Sequence, residues 1–285
     1  MKIVTLDVVK RQGALSGIIR NANRIINGEM IETCNDTKDA FVLHRDTPEG
    51  AIKAILESMR RILKFDGYTL EDIQVLAPQR SSSIGTYLLN YLIQQEFNGG
   101  ENGLTVLNHK FDVTIDPKRG QQSFELRFKK GDKVIHIKNN PDMTWYVKGH
   151  YNDYLQDEDT TGITNGECGV IEEIKQIQTK DGKTNRIIVK YEDKFVFYDG
   201  SFEELDHSYA LTIHKSQGSQ WKAVILPIMN QNYNMLDNNL FYTGYTRAEE
   251  FNVVVGQPRA IKHAIDTTKT RTRFTALSEK IKEVA

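Results

Sequence analysis

The stretch Tyr209-Ala210-Leu211-Thr212-Ile213-His214-Lys215-Ser216-Gln217-Gly218-Ser219-Gln220-Trp221 sets an imidazole, an ammonium, hydroxyls, amides and a glycine behind a short apolar run. Such groups donate hydrogen bonds to oxyanions, and glycine lets a backbone approach a ligand closely. The mixture suits phosphate or sugar contacts better than acid–base chemistry on a small molecule. A second apolar run, Ala223 to Ile228, follows at once. This is the order of an α/β sheet that delivers a polar loop at the carboxyl end of a strand, where such sheets place ligands. A solvated strand-to-helix turn accounts for the same letters, and the loop alone does not separate the two.

Two further groups could act with it. Phe241-Tyr242-Thr243-Gly244-Tyr245-Thr246-Arg247-Ala248 is predicted to lie on a helix just before a strand. Arg247, late in that helix, is either a structural ion-pair partner or a phosphate ligand, because guanidinium presents fixed bidentate donors. In phosphoryl transfer such an arginine stabilises transition-state charge, often by ~10³-fold or more in rate. Near the amino terminus, Val8-Val9-Lys10-Arg11-Gln12-Gly13 forms a basic, amide-bearing turn. Taken by itself, Arg11 there reads more readily as a solvated surface arginine than as a ligand contact.

The elements that must position these groups follow from periodicity. Leu15, Ile18, Ile19, Ala22, Ile25 and Ile26 recur at helical spacing until Asn27-Gly28. Phe41-Val42-Leu43 reads as a strand, and Asp46-Thr47-Pro48-Glu49 as the start of a helix reaching about Lys64. A strand over 72–78, a polar loop over 79–83 and a helix from about Ile84 to Phe97 complete a parallel α/β pattern. From Asn98 to about Arg119 no helical period is sustained. From Lys130 short strands are expected at 132–137, 168–171, 186–191 and 194–198, with turn dipeptides Asn165-Gly166 and Asp181-Gly182. Residues 139–164 have no clear period and read as a loop excursion. The α/β order resumes at Ser208: a strand over 223–228, a helix from Asn238 to about Ala248, a strand over 252–256 and a helix over 258–266. A basic segment, 269–274, then leads into a terminal helix. The division expected is 1–129 and 207–285 as one sheet domain, with 130–206 inserted as a small β module.

Composition sets the outer bounds. The 285 residues are 39% hydrophobic and 26% charged, as in a globular protein with a real core. No run approaches the roughly 18 apolar residues of a membrane span, and the amino terminus lacks a signal-peptide core, so a cytoplasmic protein with no membrane partner is expected. Cys34 and Cys168 lie far apart and outside any C-x-x-C pair, so they read as ordinary thiols. A net charge of −1 gives no global signal for nucleic acid, although a local basic track remains compatible with it.

Taken together, these motifs resemble those of RecD-like superfamily 1 DNA helicases, of the exodeoxyribonuclease V α-chain type. Thr212–Ser219 resembles motif V, Tyr242–Ala248 motif VI, and Arg11-Gln12 the start of motif IV. Val75-Leu76-Ala77-Pro78-Gln79-Arg80 is similar to the strand and loop that follow motif IV. Asp132-Lys133-Val134 and Asn165–Val170 are similar to the start of an SH3-like insertion. The Y-T-x-x-T-R-A form of motif VI favours this branch over the Pif-type branch.

The resemblance implies a RecA-like second motor domain with an inserted SH3-like β-barrel, working in a 5′ to 3′ DNA-unwinding motor. Arg11 and Arg247 would be the arginines that reach the γ-phosphate of ATP. Gln12, Gly218 and Gln220 would lie at the nucleotide, although Gln220 stands where relatives usually carry glutamate. Thr212, His214, Lys215 and Ser216, with Arg80, would contact the backbone of single-stranded DNA. Gly244 departs from the usual alanine. The chain contains no G-x-x-x-x-G-K-S/T phosphate loop. ATP and Mg²⁺ are therefore expected to bind only with a first RecA-like domain, supplied in cis or in trans, and the chain alone is expected to be inactive. RecB/RecC-type subunits are further partners the resemblance allows. The competing class is a non-enzymatic remnant that binds single-stranded DNA or protein. An unrelated nucleotide-binding enzyme would need its own glycine-rich phosphate loop, and none is present.

Overall fold

Capped helices and apolar strands alternate from the start of the computed structural model, which describes residues 16–100, 103–149, 153–156, 161–180, 182–192 and 194–268. Arg11, Gln12, the basic segment 269–274 and the expected terminal helix lie outside the described residues. Helix α1 (Gly17–Ile26) buries Ile18, Ala22 and Ile25. Its cap, Ser16, accepts from Ile18 N and donates to the Asp39 carboxylate at 2.6 Å. Strand β1 (Ala40–His44) leads to α2 (Pro48–Ile62), which opens with Thr47 accepting from Gly50 N and Pro48 in its first turn. Strand β2 (Ile73–Ala77) and α3 (Thr86–Phe97) follow.

The next stretch is more ordered than its letters suggest. Strands β3 (Val106–Val113) and β4 (Gln122–Phe128) form an antiparallel hairpin whose register shifts between Leu107 and His109. That shift breaks the two-residue alternation by which a strand is recognised. The hairpin lies on α3 through ring contacts: Tyr91 meets Phe124 at 5.0 Å and Tyr87 meets Phe111 at 5.8 Å. Strands β5 (Lys133–His136), β6 (Asn140–Lys148), β7 (Tyr154–Leu155), β8 (Thr161–Ile163), β9 (Cys168–Thr179), β10 (Gly182–Tyr191), β11 (Lys194–Asp199) and β12 (Leu205–His207) build an eight-stranded sheet. Its order is β12-β5-β9-β10-β11-β6-β7, with β8 on β6. Residues 139–164 thus hold strands where a loop was expected. Strand β6 finds its partner far away in sequence, Trp145 opposite Val196 and Tyr146 opposite Phe195, so local periodicity carried little of the signal.

The last part returns to the first sheet. Strand β13 (Ala210–Thr212), a 3-10 turn over Ile213–Ser216, β14 (Trp221–Ile228), a second 3-10 segment over Asn230–Met235, α4 (Asn238–Tyr245), β15 (Ala248–Gly256) and α5 (Pro258–Asp266) follow in order. Five strands pair in the order β1-β15-β14-β2-β13, all parallel. Val224, Leu226 and Ile228 face α1, α4 and α5, whereas Ala223 and Ile225 face α2 and α3. Being buried on both faces is why these strands read as continuous apolar runs.

Polar groups share the seam between the two sheets with apolar ones such as Ile135, which packs into the core of the parallel sheet. The Asp132 carboxylate is fully buried and accepts from Lys129 N (2.7 Å), Gln94 Nε2 (2.6 Å), Asn98 Nδ2 (2.7 Å) and Tyr209 OH (3.0 Å). His207 Nε2 lies 3.1 Å from the same carboxylate, its ring stacked on Phe128. Asn90 donates to Ala210 O and accepts from Ala210 N, closing the edge of β13 as a neighbouring strand would. Lys133 donates to Ile73 O (2.9 Å) and Gln74 Oε1 (3.1 Å). Burial pulls the Lys133 ammonium down to about 8, the charges of Cys168, Glu71 and Asp72 opposing it only in part. Below that pH the lysine is charged both folded and unfolded, and the burial cost is fully present. Between about 8 and the ordinary value of 10.5, only the unfolded chain keeps the proton. Stability should therefore rise across that window, by up to about 3 kcal/mol relative to Lys133→Met. Urea titrations of both proteins at pH 7, 8, 9 and 10 check this; a constant difference between them is the contrary result.

Candidate functional site

The connection from β13 to β14 determines the geometry of the motif-bearing loop. Strand β2 lies between them, so the chain must cross over β2 to reach its next strand. Thr212 stands opposite Ala77, near the carboxyl end of β2, and Ala223 opposite Ile73, at its amino end. Residues 213–220 thus run the length of the sheet. They lie on the face of α1 and α4, with Ile213 buried in that core. The strand-to-helix turn read from the sequence is a strand-to-strand crossover holding a single 3-10 turn. In that turn Thr212 Oγ1 accepts from Lys215 N, and Ser216 Oγ donates to Ile213 O at 2.7 Å. Gly218 takes φ +93°, where a side chain is strained, and lets the chain swing towards β14.

At the carboxyl end the structure gathers Arg80, Thr212, His214 and Lys215. Arg80 and His214 are exposed. Lys215 is half-buried and lies 3.9 Å from Asp206 Oδ2. Burial pulls its ammonium down; Asp206 offsets this in part, and the charge of Arg80 adds to it. Burial pushes Asp206 up, but its hydrogen bond with His109 and the charges of His109 and Lys215 hold it below the usual carboxylate range. Ser216 is buried, with its hydroxyl committed to its own turn. Asp206 and His109 were not singled out from the sequence, since both lie in stretches of mixed polarity with no motif.

At the amino end lie Gly218, Ser219, Gln220 and Arg247. Helix α4 stops at Tyr245, so Arg247 sits in the turn before β15 and not on the helix as expected. The turn is stitched to the crossover. Arg247 Nε donates to Thr243 O at 3.0 Å and Nη1 to Ser219 O at 3.2 Å, while Trp221 N donates to Arg247 O at 3.0 Å. Gln220 is exposed. Gly244 explains its own departure from alanine: an added Cβ would lie 2.9 Å from Leu226 Cδ2 and 3.2 Å from Ile213 Cδ1. Its lack of a side chain lets α4 sit directly on the crossover. Between them opens a cleft of about 750 Å³ lined by Ile213, His214, Gln217, Leu240 and Thr243.

The aromatic residues of the β module mostly serve each other. Tyr146 stacks on Phe197 at 4.2 Å, and Tyr154 meets Phe195 and Phe197 edge-on. Among the described residues, no group of three or more His, Cys, Asp or Glu could hold a metal, and no helix is long and apolar enough to cross a membrane.

Comparison with known proteins bears directly on this loop and turn. The family model described as UvrD-like helicase C-terminal domain matches residues 207–255, from the end of β12 through most of β15. The ATP-dependent RecD2 DNA helicase of Deinococcus radiodurans is 28% identical over 280 residues, covering 98% of this chain and 32% of that protein. The RecBCD enzyme subunit RecD of Mycolicibacterium smegmatis is 33% identical over 109 residues, covering 38% of this chain and 18% of that protein. The chain thus spans about a third or less of the length of these relatives. Among solved structures, the Pif1 helicase of Candida albicans gives a TM-score of 0.49 at 14% identity, covering 98% of this chain and 60% of that one.

Gly244→Ala tests the contact between α4 and the crossover. Alanine gains about 0.5–1 kcal/mol of helix propensity, while overpacking against Leu226 and Ile213 costs about 1–3 kcal/mol. A net loss of about 1 kcal/mol is expected in urea unfolding, with an unchanged m-value. A stabilised variant would mean that the two side chains give way freely.

Proposed function

We propose, on the premise that this chain belongs with the RecD-like superfamily 1 helicases and carries their UvrD-like C-terminal domain, that it is the second motor domain of an ATP-dependent 5′ to 3′ DNA helicase. In this reading residues 1–129 and 207–285 form a RecA-like domain and 130–206 an SH3-like insertion. The observation that carries the proposal is the crossover itself. One uninterrupted loop runs from the exposed cations at the carboxyl end of the sheet to Arg247 at its amino end.

The two ends suit two kinds of phosphate. Arg80 and His214 are exposed where a DNA backbone could lie, and Lys215 adds positive potential from its half-buried place. Thr212 holds the turn that presents them. Arg247 is fixed by carbonyl oxygens on both sides, as a guanidinium must be to meet a γ-phosphate in one geometry. Arg11 would be its counterpart, with Gln12, Gly218 and Gln220 lining the nucleotide. ATP, bound together with Mg²⁺ by a first RecA-like domain, would supply the bond that is broken. The part of this chain is to sense the terminal phosphate and pass a displacement along residues 213–220 to the DNA contacts. RecB/RecC-type subunits and a cytoplasmic location fit the same reading.

Purified alone, the chain should bind single-stranded DNA but not turn over ATP. Arg80→Ala and Lys215→Ala should each reduce the salt slope of binding by about one unit. A RecD-type first motor domain added in trans should restore DNA-stimulated ATP hydrolysis, and Arg247→Ala should lower that rate by ~10³-fold. ATP turnover by the chain alone, or restored turnover indifferent to Arg247→Ala, would sink the proposal.

A further inference from the structure

The edge of the core-facing stripe of helix α2 also lines a groove. Ala51, Ile55, Met59 and Ile62 are buried against the sheet. Ile52, buried in the same core, and the half-buried Leu56 lie at its edge, beside Lys53 and Arg60 by their spacing of three, four and seven residues. That edge is one wall of the groove, of about 610 Å³. Leu92 of α3 contributes to its floor, and the turn between β3 and β4 supplies the other wall with Ile115, Lys118 and Arg119. The size lies within the ~300–1,000 Å³ of ligand-binding clefts.

The charges around this aliphatic lining are unequal. Lys53, Arg60, Lys118 and Arg119 face Glu49 and Asp116. Arg60 is paired with Glu96 at 2.6 Å. Asp116 accepts from Lys118 N within its own turn and lies 3.8 Å from Arg119. Lys53 and Lys118 are exposed and make no ion pair among the described residues. The lining has no aromatic ring on which a base could stack. Aliphatic anchors rimmed by unpaired ammonium groups match a peptide that alternates apolar and acidic side chains.

We propose that this groove docks an acidic, amphipathic peptide segment of a partner protein. The groove belongs to the α2–α3 layer, whereas Ile213 and the crossover belong to the α1–α4 layer on the other face of the sheet. A partner held there leaves the Thr212–Gln220 loop uncovered, and the proposal stands whether or not the motor reading holds.

The test uses the full chain and a short fluorescein-labelled peptide in which Asp–Glu pairs separate Leu and Phe. Two control peptides replace the acidic residues by lysine or the apolar ones by serine. Saturable anisotropy binding is expected for the first peptide only. Lys53→Glu combined with Lys118→Glu should weaken it at least tenfold, as should Leu56→Ser, with melting curves confirming that each variant is folded. Absence of saturable binding overturns the proposal, as does equal binding of the serine control or indifference to the lysine pair. Displacement of the peptide by a single-stranded oligonucleotide would reassign the groove to nucleic acid. A dimer on gel filtration that the double variant abolishes would reassign it to a second copy of the chain.

Discussion

One buried carboxylate, Asp132, is the constraint on which the two sheets most depend. Left without partners, a charge at zero exposure would be prohibitively costly. Its donors come from α3 (Gln94), the residue after it (Asn98), the chain just before the β module (Lys129 N) and the segment leading into β13 (Tyr209, with His207 alongside). No single element can satisfy it, so the groups must assemble together. Removing one donor leaves the carboxylate a hydrogen bond short, and such losses commonly cost about 1–3 kcal/mol. The same residues fix where β13 begins, and hence where the crossover starts.

From that fixed start the crossover has little freedom. It must pass over β2 without a helix, so it follows the sheet face, with Ile213 anchored in the core and α4 pressed upon it at Gly244. Its two ends are held differently. The Arg247 end is pinned by backbone hydrogen bonds, whereas His214 at the other end is exposed. Between them Ile213 and Ser216 are buried, while Gln217, Gly218 and Gln220 are exposed.

Much of the parallel sheet and its helices was legible because buried strands, caps and helical periods are local signals. Thr47-Pro48 marks α2, and Pro258 opens α5 where the sequence placed it. Non-local structure was not legible. Strand β6 depends on β11 some fifty residues away, and the register shift in β3 hides its alternation. Helix α4 ends two residues before Arg247 because Ala248 already pairs with Trp221 in the sheet, a contact no local propensity records. The loop was picked out by residue type and by resemblance, but the placing of its residues at two ends of the sheet was not foreseen. Asp132 was read only as the first residue of a strand over 132–137 and of a stretch resembling an insertion. Only the tertiary arrangement buries it completely.

The hold of Arg247 on its surroundings has a consequence for how the chain can change over time. Its guanidinium bonds to the carbonyl oxygens of Thr243 and Ser219, and its own carbonyl accepts from Trp221 N. Main-chain oxygens are present whatever residue occupies a position. Substitutions at 219 or 243 can therefore accumulate without loosening the arginine, while the arginine itself has no such latitude. Mutational drift in this part of the molecule should be one-sided, permissive in the residues that are gripped and strict in the one that grips.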